Sequence, residues 1–140
     1  MSPNIIQKYS TGNFHFPIKS GIDNILVNKD SILEVTQKIK EDEDLLYEQL
    51  IDITVTDNML SKSSYSNERF TLIYSFLSLK FNKRLFIFTN ISEDNLDINS
   101  ITQIFESADW FERECYDLFG INFVTVSYTH LTLPTIGVVL

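Results

Sequence analysis

The most constraining feature of the sequence is the run from Phe70 to Leu79, which contains no glycine, proline or charge. On an extended backbone Phe70, Leu72, Tyr74 and Phe76 fall on one side, with Thr71, Ile73, Ser75 and Leu77 on the other. Such a strand is predicted to be covered on both faces. Asn82-Lys83 reads as a turn into Leu85-Phe86-Ile87-Phe88, so the two runs are predicted to pair as an antiparallel hairpin.

The remaining elements arrange themselves around that hairpin. Ile51, Ile53 and Val55 alternate with Asp52, Thr54 and Thr56, the pattern of a half-buried strand. A polar, serine-rich link over 58–68 joins it to the hairpin. Upstream, Ile25-Leu26-Val27 is a short strand, and residues 1–24 form a partly ordered lead-in without clear period. Ser31 and Glu34 have capping-box spacing ahead of Ile32, Val35 and Ile39, which predicts a helix over 31–44. Its acidic end, 40–44, reads as a solvated face rather than a metal site.

A second helix is predicted from Ser100, again with capping-box spacing to Gln103. It runs through Ile101, Ile104, Phe105, Ala108, Phe111, Cys115 and Leu118 as one apolar stripe, with Gly120 as the terminator. The order β-α-β-β-β-α predicts an α+β two-layer sandwich, a mainly antiparallel sheet with helices on one face.

Composition excludes several classes of function. In 140 residues, nineteen acidic side chains against eleven basic ones give a net charge of −8, the wrong sign for binding nucleic acid or an anionic membrane surface. One cysteine and two histidines cannot supply a zinc or iron–sulfur ligand set. Gly12, Gly21, Gly120 and Gly137 are too scattered for a phosphate-cradling loop. The N-terminus has neither signal nor transit character, and no apolar run is long enough to span a bilayer.

The densest polar cluster is Asp109-Trp110-Phe111-Glu112-Arg113-Glu114-Cys115-Tyr116-Asp117. On a helix Arg113 stands one turn from both Asp109 and Asp117, so one reading is an exposed ion-paired face. The other is a docking surface centred on Trp110 and Arg113, residue types that dominate interface energetics. Cys115 lies on the apolar stripe and reads as an inert buried thiol. His15 has no acid or nucleophile beside it in sequence. A stand-alone acidic enzyme using Glu112 and Glu114 is the competing reading, although the two point to different helix faces.

Trp110-Phe111-Glu112-Arg113-Glu114-Cys115-Tyr116-Asp117-Leu118-Phe119-Gly120-Ile121-Asn122-Phe123 resembles the W-x-E-R-E-x-x-D-x-F-G-I-x-F signature of the thirty-kilodalton subunit family of respiratory complex I, which includes the C subunit of bacterial NADH-quinone oxidoreductase. The segments 50–57, 69–79 and 82–85 are similar to the family's strand blocks, in the same order. The resemblance covers residues 25–123. It implies a peripheral-arm subunit that is itself non-catalytic, working in an assembly that passes electrons from NADH to quinone. NADH, FMN, iron–sulfur clusters and quinone would all belong to partner subunits. The implied partners are the quinone-site subunit and the cluster-bearing neighbours. Membrane association would come only through the complex, on the cytoplasmic side of a bacterial inner membrane or the matrix side of a mitochondrial one. The residues assigned to docking are Trp110, Glu112, Arg113, Glu114 and Asp117.

After Phe123 the family pattern stops. Val126-Ser127-Tyr128-Thr129-His130-Leu131-Thr132-Leu133-Pro134-Thr135 resembles the conceptual translation of a sequencing-library transposon adapter. Residues 124–140 are therefore expected to be foreign to the fold, and His130 carries no functional weight.

Overall fold

A computed structural model of the chain describes residues 6–10, 22–60 and 68–126. Four strands form the main sheet: β1 (Ile22–Leu26), β2 (Gln49–Asp57), β3 (Phe70–Ser78) and β4 (Lys83–Ile91), in the order β1-β4-β3-β2. The predicted hairpin is present, with β3 and β4 antiparallel from Phe70↔Ile91 to Ser78↔Lys83 and Asn82 turning at φ 53°. β2 adds antiparallel to β3, with a register shift between Leu50 and Asp52. β1 lies parallel to β4, so it cannot be reached by a hairpin. Helix α1 (Ile32–Glu41) makes the long connection from β1 to β2 across the sheet.

Both helices pack on one sheet face, as the α+β sandwich requires. That face presents Ile53, Leu72, Tyr74, Phe76, Leu85 and Ile87, all fully buried, to Ile32, Leu33, Val35 and Ile39 of α1 and to Ala108 and Cys115 of α2 (Ala108–Phe119). Ile6 joins the same core from a short 3-10 turn, Ile6–Tyr9. The opposite face differs from expectation. Thr71 is fully buried there, as is Phe88 opposite Ile73, but Ile73, Ser75 and Leu77 are only half-buried, because both helices lie on the first side.

The helix ends also depart from the sequence reading. No capping box forms at Ser31. Asn28 instead accepts the Asp30 N–H at 2.9 Å and starts a 3-10 turn, Lys29–Ser31, that feeds into α1. α1 stops at Glu41 rather than 44, since the Asp42 backbone is extended and its carboxylate accepts the Tyr9 hydroxyl and the Asp44 N–H.

The predicted helix from Ser100 begins only at Ala108. Residues 101–107 instead form compact turns, with Ile104 and Phe105 both donating to the Ile101 carbonyl. Ile101, Ile104 and Phe105 are buried as a wedge, with the Phe105 ring 5.2 Å from that of Phe76. At the other end Gly120 takes φ +76° and donates to the Tyr116 carbonyl, as expected.

Two short strands fall outside the expected order. β5 (Asp97–Asn99) and β6 (Asn122–Val124) pair in parallel as a separate ribbon. The folded body thus passes the boundary expected at 123: Val124 accepts the Ser100 N–H, and Val126 rests against the core. Most of the lead-in, with His15, most of the serine-rich link, and residues 127–140, with His130, lie outside the described residues.

Candidate functional site

Helix α2 lies along β2, the edge strand of the sheet. Its seating is specified by side chains that reach strand carbonyls: Ser107 Oγ donates to Leu50 O at 3.1 Å, and Cys115 Sγ approaches Ile53 O at 3.7 Å. Phe119 completes the contact edge-on to Phe70, centroids 5.8 Å apart. These contacts fix which residues of the helix face the sheet and which face away.

Among the five residues assigned to docking, Glu112 is a correction. It is 6% exposed and accepts Ser100 Oγ at 2.7 Å and Ile101 N at 2.9 Å. Its carboxylate satisfies the backbone turn that replaces the predicted first part of the helix, so it binds α2 to its own approach segment. Burial raises its pKa above the ordinary carboxylate range, against the lowering effect of its two hydrogen bonds, and the nearby Asp109 charge adds to the rise. Tyr74, fully buried beneath, has no hydrogen-bond partner for its hydroxyl among the described residues. Burial, and then the Glu112 charge, push its ionisation up.

The other four, Trp110, Arg113, Glu114 and Asp117, are exposed and line one shallow depression of about 260 Å³ together with Leu118. Trp110 is 66% exposed and Leu118 70%. Leu118 thus leaves the apolar stripe on which its spacing puts it, and Phe111, expected there too, is only half-buried. α2 turns Ala108, Glu112 and Cys115 inward, which leaves Phe111 and Leu118 on its flanks. The ion-paired reading of the helix also fails. Among the described residues Arg113 forms no salt bridge with Asp109 or Asp117. On its other side Arg113 borders a second depression with Asp109, Glu112, Tyr116, Asn122 and Phe123. Tyr116, exposed and on this face, is a surface residue that the docking assignment from sequence omits.

Glu112 and Glu114 do not form a pair, since one is buried against Ser100 and the other is exposed. Burial pushes the Cys115 thiol up to about 12, with further contributions from Glu114, Asp52 and Glu112. Among the described residues no group of three or more His, Cys, Asp or Glu side chains is arranged to hold a metal ion. No helix among them is long and apolar enough to cross a membrane.

Comparison with known proteins defines the class of fold and then the family. A solved structure of the trypsin-resistant fragment (1-134) of Nqo5 superposes with a TM-score of 0.61 at 26% identity, over 71% of this chain and 76% of that one. A chain of the membrane-bound sulfane sulfur reductase, an archaeal respiratory membrane complex, shares the fold at a TM-score of 0.65 and 18% identity, over 95% of this chain and 72% of that one. Residues 25–133 match the respiratory-chain NADH dehydrogenase, 30 Kd subunit family, and the chain belongs to it. The C subunit of NADH-quinone oxidoreductase from Rickettsia bellii is 40% identical over 97 residues, 69% of this chain and 46% of its own length. Its counterpart from Polynucleobacter asymbioticus is 35% identical over 108 residues, 76% of this chain and 54% of its own. The chain thus spans about half the length of these curated relatives.

Proposed function

We propose that the chain is a non-catalytic, peripheral-arm subunit of an NADH:quinone oxidoreductase, acting by holding partner subunits in place while electrons pass from NADH to quinone. The observation that carries this reading is the outward face of α2. Trp110 and Leu118 expose large apolar surface on a rigid helix locked to the sheet, an arrangement that is costly in water without a partner. The partners by this reading are the quinone-site subunit and the cluster-bearing neighbours, which would hold the FMN, iron–sulfur clusters and quinone. The chain would reach the membrane only through them, on the cytoplasmic side of a bacterial inner membrane or the matrix side of a mitochondrial one. The docking set becomes Trp110, Arg113, Glu114, Asp117 and Leu118, with Glu112 positioning them.

The test is co-purification. The tagged chain, solubilised from membranes of its host with mild detergent, should elute with NADH:quinone reductase activity and with subunits that carry flavin and iron–sulfur absorbance. Recovery only as a free small protein would falsify the proposal.

A further inference from the structure

We propose that the depression between Trp110 and Leu118 receives a basic, amphipathic segment of a partner polypeptide. Apolar side chains sit against the tryptophan and the leucine, and lysines or arginines between them lie against Glu114 and Asp117. The inference rests on the docking role proposed above and adds the partner's chemistry.

The first support is the charge left uncompensated on α2. The exposed face carries the carboxylates of Asp109, Glu114 and Asp117 against the single guanidinium of Arg113, which salt-bridges none of them. The second is where Asp117 sits. The last turn of α2 holds no basic residue, so Asp117 faces the negative pole of the helix dipole with no cation of that turn to offset it. A partner cation against Asp117 would relieve both the like-charge crowding and the charge–dipole conflict. The third is the distribution of apolar surface at the two ends of the depression, with charge between them, which fits a segment whose cations are flanked by apolar side chains. A second copy of this chain would bring the same acidic face and a net charge of −8, and an anionic lipid surface is repelled in the same way.

The experiment places the photo-crosslinker p-benzoylphenylalanine at Leu118 of the full chain in its host and sequences the peptide captured on irradiation. The expected adduct lies in a polypeptide segment of net positive charge with at least two Lys or Arg near the crosslink. Glu114→Lys with Asp117→Lys should lower the yield at least tenfold, whereas Glu106→Lys, exposed but outside the depression, should leave it unchanged. The double variant should melt no earlier than the parent chain, because lysine at 117 complements the helix dipole. Capture of a neutral or acidic segment, of lipid, of other copies of this chain, or of nothing, overturns the inference. The identity of the captured protein separates the two levels: a basic segment outside any NADH:quinone oxidoreductase supports the inference and counts against the proposed function. An acidic segment within one does the reverse.

Discussion

Glu112 accepts the hydroxyl of Ser100 at 2.7 Å, joining the middle of α2 to the point where the chain leaves β5. Its second oxygen takes the Ile101 N–H at 2.9 Å, so one buried carboxylate closes a compact wedge that the backbone alone would leave unsatisfied. Removing it strands the buried Ile101 N–H and leaves the Ser100 hydroxyl only Thr102 Oγ1, 2.9 Å away. Glu112→Ala should therefore cost about 2–4 kcal/mol of folding stability in urea denaturation, and Glu112→Gln, which keeps one acceptor, about 1 kcal/mol.

The same carboxylate has a distinctive pH signature. Burial raises its pKa in the folded chain, so folding binds that proton more tightly than the unfolded chain does. Its contribution to stability is complete below the ordinary carboxylate pKa and is lost as pH rises through the raised one. Asp57 behaves oppositely. The Arg69 fork, at 2.8 and 2.9 Å, holds its pKa low, so its stabilisation is present above the ordinary value and lost as pH falls through the lowered one. Urea denaturation across the acid range should show the parent chain gaining on Glu112→Gln as pH falls, while Asp57→Asn flattens the acid-side loss.

Cys115 should be inert in the folded chain. It is buried, and its thiol is held up to about 12, so thiolate is scarce at neutral pH. Iodoacetamide at neutral pH should label it only as fast as the chain opens, with full labelling in denaturant. Stoichiometric labelling within minutes under native conditions would show that the α2 contact with β2 is open.

Three substitutions should separate core from surface. Phe76→Ala, at a fully buried position, should cost about 3–5 kcal/mol. Phe111→Ala, at a half-buried one, should cost about 1–3 kcal/mol, since less surface leaves water on folding. Arg113→Ala should change the stability of the free chain by at most about 0.5 kcal/mol, because it breaks no salt bridge. All three are read from thermal or urea melts of the purified chain.

The hairpin is legible in the sequence because Phe70, Leu72, Tyr74 and Phe76 alternate over a length that no helix would use in that way. β5 and β6 are not, since three residues are too few to show a period. The start of α2 misleads for a more specific reason. Ile101, Ile104, Phe105 and Ala108 have helical spacing, but the first three fill a turn wedge, and only Ala108 begins the helix. Residue type hides the rest, since a glutamate is expected outside and a leucine inside, whereas Glu112 is buried and Leu118 exposed. The partners of Glu112, Ser100 and Ile101, belong to a segment that reads as the first turn of a helix, where the capping-box spacing of Ser100 and Gln103 offers a local partner for the free N–H groups. Trp110, Arg113, Glu114 and Asp117 stand out because residue type alone marks them.

On the proposed function, the outward face of α2 holds this chain in a respiratory assembly. The most direct test is the double variant Trp110→Ala with Leu118→Ala, expressed in the host and followed on a blue-native gel by immunodetection. Two anchors that each contribute about 2 kcal/mol or more predict a loss of complex-bound chain of at least tenfold. The free chain should melt within a few degrees of the parent, since both side chains are exposed. An unchanged ratio of bound to free chain would contradict that role for the helix.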